Sequence, residues 1–181
     1  ARQWTGHGRT LVMGILNVTP DSFSDGGRFD TLERALSQAL LMAQEGADLI
    51  DIGAESTRPG HEPVSAATEI QRLVPVLEAL KTRINCPISV DTMKAPVAEA
   101  ALKAGATIIN DVWGFRRDPR LAQLAAKADA AVVLMHNRET IDPTIDIVAD
   151  MLAFLEGSLK LALDAGIPRA RIALDPGTVS Y

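Results

Sequence analysis

The chain has 181 residues, 47% hydrophobic and 23% charged, a single-domain length with enough apolar content for a real core. A formal net charge of −5 and a pI near 5.2 argue against nucleic acid as the main partner, because neutralising a phosphate backbone needs a basic face. The single Cys86 allows no intrachain disulfide, no apolar run approaches the ~20 residues of a membrane span, and no secretory leader opens the chain, so a cytoplasmic protein with no membrane partner is expected.

Six short runs rich in Val, Ile and Leu recur along the chain: Leu11–Leu16, Asp48–Ile52, Pro87–Val90, Thr107–Ile109, Ala130–Met135 and Arg171–Leu174. Helical patterns separate them. Thr31–Glu45 carries apolar residues at three- and four-residue spacing and stops at Gly46. Ala66–Arg83 is a second helix, which Pro75 is expected to kink or break. Pro96–Ala104 opens on a proline and closes on Gly105, Pro119–Ala128 follows, and Thr144–Ala165 closes on Gly166. Apolar strands with little alternation, spaced by helices, indicate a parallel sheet buried on both faces, either an open doubly wound sheet or a (β/α) barrel. Polar residues follow nearly every strand: Asn17, Glu55 to Arg58, Asp91-Thr92, Asn110-Asp111, His136-Asn137 and Asp175. A barrel brings all its strand ends to one mouth, whereas an open sheet uses only those at its switch point, so the barrel is favoured.

The stretch LVMGILNVTPDSFSDGG, Leu11 to Gly27, passes from a strand directly into a small, polar, glycine-containing loop, a composition that presents backbone amides and oxygen ligands to phosphate. Asn17 ends the strand; its amide oxygen suits magnesium, or else satisfies a turn. In DIGAESTRPG, Asp51 to Gly60, Arg58 offers a planar fork to a carboxylate or phosphate, or is a solvated loop arginine, and Glu55 orders the loop rather than binding an anion. Asp91 in SVDT and Asp175 in LDPG put a carboxylate at a strand end, where it takes a pair of donors or caps the next helix. There is no GxxxxGK[ST], no GxGxxG after a strand and no GxSxG, and the three histidines have no zinc-site spacing.

Residues 11–27 closely resemble the hallmark motif of dihydropteroate synthases, and DIGAESTRPG, SVDT, IIND and LDPG extend the resemblance from Leu11 to Gly177. It implies a (β/α)8 TIM barrel. The activity implied joins 6-hydroxymethyl-7,8-dihydropterin diphosphate to 4-aminobenzoate, giving dihydropteroate and diphosphate in folate biosynthesis. The resemblance makes Asn17 the ligand of Mg2+ on the diphosphate and puts Asp21 and Ser22 in a loop closing over the site. Thr57 and Arg58 contact the diphosphate or the aminobenzoate. Asp91, Asn110 and Asp175 hold the pterin, Val112 and Met135 wall its pocket, and the family is typically dimeric. A carboxylate suits the pterin because the ring sets an N–H beside an exocyclic amine, two donors for two oxygens. His136 is expected to support neighbouring groups rather than act as a general base.

The sequence departs from the family after Met135-His136, where Asn137-Arg138-Glu139 is unusual, and after LDPG, where Thr178 to Tyr181 replaces a loop ending in lysine. Six strands are counted where a barrel has eight; strands seven and eight carry the family's lysine, arginine and histidine. Residues 1–181 are therefore expected to be one pterin-binding barrel domain, truncated after its sixth strand. Two alternatives accompany this expectation: a catalytically impaired pterin- or diphosphate-binding fragment, and a pterin-dependent methyltransferase-like protein, against which the unbroken NVTPDSFSDGG loop argues.

Overall fold

The computed structural model describes residues 8–19, 28–55 and 64–177; Asp21, Ser22, Thr57 and Arg58 lie outside them. Strands and helices alternate: β1 Met13–Asn17, α1 Arg28–Gln44, β2 Leu49–Gly53, α2 Ala66–Leu80, β3 Ile88–Asp91, α3 Ala95–Ala104, β4 Ile108–Asp111, α4 Arg120–Lys127, β5 Ala131–Met135, α5 Ile147–Asp164 and β6 Ile172–Asp175. All neighbouring strands pair in parallel, and the sheet order is β1-β2-β3-β4-β5-β6. A doubly wound sheet reverses its order at a switch point; this one never does, which is the progression of a (β/α) barrel. The described residues thus form a six-stranded arc of that fold.

Side-chain parity separates the two faces of the arc. Leu16, Ile50, Ile52, Ile88, Val90, Ile109, Val132 and Leu134 face the helices, meeting Leu36, Leu73, Leu77, Val97 and Leu121 in the main core. Leu49, Ile108, Ala131 and Val133, with Met13 and Ala173 against them, form a second, smaller apolar cluster on the concave face. That cluster is the floor of the lumen, and the polar strand ends stand above it.

Local chemistry sets the element bounds. Ser65 caps α2 by accepting from the Thr68 amide at 3.2 Å. Asp146 caps α5 by accepting from Val148 and Ala149 at 3.0 and 3.1 Å, so the helix begins three residues after the expected Thr144. Of the kink or break expected at Pro75, a break does not occur: α2 continues through it to Leu80. A proline inside a helix costs about 3 kcal/mol, but Leu73, Val76, Leu77 and Leu80 on both sides are buried against the sheet, and that burial outweighs one lost hydrogen bond. Gly105 closes α3 with φ of +124°, a conformation that favours glycine.

Candidate active site

Strand register brings the polar strand ends into a row. Asn17 pairs with Gly53, Gly53 with Asp91, and Asp91 with Asn110; one step higher, Met135 pairs with Asp175. By parity all of these face the lumen, together with Asp51 and Ser89 one layer below. Gly53 keeps the row open, since a Cβ there would stand 3.4 Å from the Asp91 carboxylate and 3.6 Å from Asn17 Oδ1. Of the residues singled out in the sequence, Asn17, Asp91, Asn110, Met135 and Asp175 are therefore brought together. Met135 is half-buried on the lumen face, not a residue of either apolar cluster. Val112, half-buried, follows β4 in a tight turn at the same end.

Not every polar strand end joins them. Thr92, Asp111 and His136 are buried, the last two on the helix-facing side. The Asp111 carboxylate accepts from the Trp113 and Phe115 amides, each at 2.8 Å, which holds Phe115 at a φ of +65° with its ring fully buried. His136 Nε2 meets Asp150 Oδ2 at 3.0 Å and its ring stands edge-on to Phe154, 5.2 Å between centroids, so it braces α5. Arg138, one of the unusual residues after Met-His, joins the same Asp150 at 2.8 Å.

The electrostatics of the row centre on Asp91. No described residue donates a hydrogen bond to its carboxylate. Burial first, then the charges of Asp51, Asp111, Glu69 and Glu55, push its pKa well above the ordinary carboxylate range. Asp51, which motif reading passed over, lies beneath it: Asn110 Nδ2 donates to Asp51 Oδ2 at 2.9 Å, while Asp51 Oδ1 and Ser89 Oγ are buried with no partner among the described residues. Burial raises the Asp51 pKa too. A carboxylate inside a strand of otherwise apolar residues was the signal available for it. Asp175 is tied by its own turn, accepting from the Gly177 amide at 2.8 Å and keeping its second oxygen available.

Chemically, this row can accept a ligand edge carrying adjacent N–H donors, with Asn110 offering an amide oxygen beside it. It offers no nucleophile and no paired acid and base. Asn17 Oδ1 takes no hydrogen bond from a described residue and lies at the exposed end of β1. No cluster of three His, Cys, Asp or Glu that could hold a metal occurs among the described residues; a lone amide oxygen such as that of Asn17 suits only an ion that takes most of its ligands from substrate and water.

A family model described as "Pterin binding enzyme" matches residues 13–180. Dihydropteroate synthase of Bacillus subtilis is 54% identical over 169 residues, covering 93% of this chain and 59% of its own length. The dihydropteroate synthase of Clostridium difficile, solved in the presence of pteroic acid, superposes with a TM-score of 0.90 at 49% identity, over 94% of this chain and 65% of that one. That of Xanthomonas albilineans, solved with 4-aminobenzoic acid, gives 0.88 at 46% identity, over 94% and 62%. The chain thus spans about three-fifths of the length of such relatives. The match of the family model over nearly the whole chain, the barrel order of the strands and the row of polar strand ends lead to one conclusion: the chain belongs to the pterin-binding enzyme family.

Proposed function

We propose that the chain is a dihydropteroate synthase barrel, one pterin-binding domain over residues 1–181, whose strand-end row takes the pterin ring of 6-hydroxymethyl-7,8-dihydropterin diphosphate. The observation that carries this is the desolvated Asp91 carboxylate, without a hydrogen-bond donor among the described residues and facing the lumen. The ring's N–H and exocyclic amine supply the missing donors, and burial makes the charge-assisted pair strong. Asp175 and Asn110 engage the remaining polar edge, and Met135 and Val112 wall the ring. The ligands named for the Clostridium and Xanthomonas enzymes, pteroic acid and 4-aminobenzoic acid, support this choice of substrates.

The reaction asked of the site is displacement of diphosphate from the pterin methylene by the amine of 4-aminobenzoate. The electron-rich pterin stabilises cationic character at that carbon, so cleavage of the C–O bond runs ahead of attack and no protein nucleophile is needed. We assign Asn17, Asp21, Ser22 and Arg58 to the departing diphosphate, with Thr57 and Arg58 also receiving the aminobenzoate. Asn17 would hold Mg2+, which when bound offsets the diphosphate's charge. Asp91 and Asp175 fix the ring so that its methylene faces the diphosphate end of the row. A cytoplasmic homodimer belongs to the same proposal, supported by the single cysteine and the family resemblance.

The test is diphosphate release by this 181-residue chain, with and without 4-aminobenzoate and Mg2+. Release that requires both supports the proposal. Binding of the pterin diphosphate with no release in any condition identifies a binding module instead, and absence of binding overturns the pterin assignment.

A further inference from the structure

The floor of the lumen is apolar except in one place. Leu49, Ile108, Ala131 and Val133 form it, yet Asp51, on the same face, is 4% exposed and its register partner Ser89 is fully buried. Asp51 stands on β2 and Asn110 on β4, with β3 between them and their backbones therefore roughly 10 Å apart. Their side chains meet across β3, where Ser89 is small enough to leave them room: Asn110 Nδ2 donates to Asp51 Oδ2 at 2.9 Å.

Stability gives no reason for a carboxylate here. One amide donor does not offset the desolvation of a charge, and Asp51 Oδ1 and Ser89 Oγ have no partner among the described residues. The neighbouring floor positions show that apolar side chains fit this face. The bond does have a consequence for the layer above. An asparagine amide keeps nearly the same shape after a half turn about its last bond, so packing alone does not decide which end meets a ligand. An ionised carboxylate only accepts, and so it decides the matter. The nitrogen turns down to Asp51, and the oxygen, which takes no hydrogen bond from a described residue, is left for the lumen. With Asp91 and Asp175 beside it, three acceptors then stand at one mouth.

We propose that Asp51 is a positioning residue that sets the specificity of the row. It holds the Asn110 amide with its oxygen toward the ligand, and thereby selects a ring edge bearing donors over the same ring bearing a carbonyl in place of its exocyclic amine. That the ring is a pterin rests on the proposed function; that Asp51 orients Asn110 rests on the hydrogen bond alone.

Titration calorimetry compares 6-hydroxymethylpterin with 6-hydroxymethyllumazine, the same ring system with a carbonyl where the pterin has its exocyclic amine. The preference for the pterin is measured in the parent chain, Asp51→Asn, Asn110→Ala and the double variant. Asp51→Asn, whose amide nitrogen can donate to Asn110 Oδ1 and turn that amide over, is expected to reduce the preference by about tenfold or more. In the Asn110→Ala background the same substitution is expected to change it by less than about twofold, since no amide remains to be turned. Asp51→Leu, with the same branching and no charge to bury, guards against a misfolded Asp51→Asn; it frees the amide and also reduces the preference. A preference unchanged in both Asp51 variants overturns the proposal. So does an equal reduction in the Asn110→Ala background, which would mean that Asp51 acts through its charge on Asp91. A parent chain that binds neither ring refutes the proposed function instead. The orientation is then read without ligand, from hydrogen exchange of the Asn110 side-chain amide by nuclear magnetic resonance. Protection in the parent that is lost in Asp51→Leu supports the hold of Asp51 on Asn110, and equal exchange in the two overturns it.

Discussion

Asp91 carries the balance between stability and binding at the scale of one residue. Its folded pKa lies above its unfolded value, so the folded state holds the proton more tightly. Its contribution to stability is therefore complete below the unfolded pKa of about 3.9, is lost as pH rises through the raised folded value, and is flat above that. Asp91→Asn removes that loss. Its melting temperature is expected to exceed the parent's at pH 8, by about 2–4 °C per kcal/mol recovered, with the gap closing toward pH 4. Scanning calorimetry at both pH values checks this; a gap that is negative at pH 8 contradicts it. The same substitution should weaken pterin diphosphate binding by about a hundredfold, since one of two charge-assisted bonds is lost and a donor faces a donor. For the parent chain the sign of the pH dependence is opposite to that of stability: pterin affinity climbs with pH through the raised Asp91 value and then levels, which titration calorimetry reads directly. Affinity falling over that range would exclude an ionised Asp91 as the acceptor.

At the scale of an element, the turn after β4 shows how a buried side chain shapes the site without touching ligand. Asp111 holds two backbone amides and fixes Val112 between itself and Trp113. Burial raises its pKa, and the two amide bonds pull it partly back. Asp111→Ala strands both donors, one of them on a fully buried residue, and should cost about 2–4 kcal/mol in urea unfolding. A cost below about 1 kcal/mol would mean that water replaces the carboxylate there. Gly177 tests the turn after β6 in the same way. It lies at φ of +70°, and an added Cβ would come within 2.3 Å of the His136 carbonyl, so Gly177→Ala should displace the Asp175 turn and cut pterin affinity at least tenfold. Element positions were legible in the sequence because strand, cap and glycine signals are local. The exceptions were equally physical: of the kink or break expected at Pro75, tertiary burial kept the helix unbroken, and nothing local announced that Lys94 would reach Glu55, 39 residues away.

For the whole molecule, the two outermost described strands matter most. Ile15, on the concave face of β1, is 64% exposed and Leu174, on the opposite face of β6, is 42% exposed. A polypeptide of these 181 residues is therefore expected to bind anilinonaphthalene sulfonate. Ile15→Thr should reduce that fluorescence while changing unfolding free energy by less than about 0.5 kcal/mol, as for a surface site. A larger loss would place Ile15 in a packed environment.

The sequence by itself determined the alternation of strands and helices, the barrel over the doubly wound sheet, the family, and the residues at the ends of β1, β3, β4 and β6. Each of these is written in a local period, a cap or a contiguous motif, so no long-range pairing had to be known. Tertiary structure alone decided which polar strand ends share the lumen. Asp91 and Asn110 face it and Asp111 and His136 do not, because parity along each strand and register between strands assign the faces. It also decided the charge environment: Asp91 is desolvated by burial and feels the charges of residues as distant in sequence as Asp51 and Glu55, and Lys94 is held by partners from two other elements. Desolvation and ion pairing depend on distance through space, which a motif does not encode.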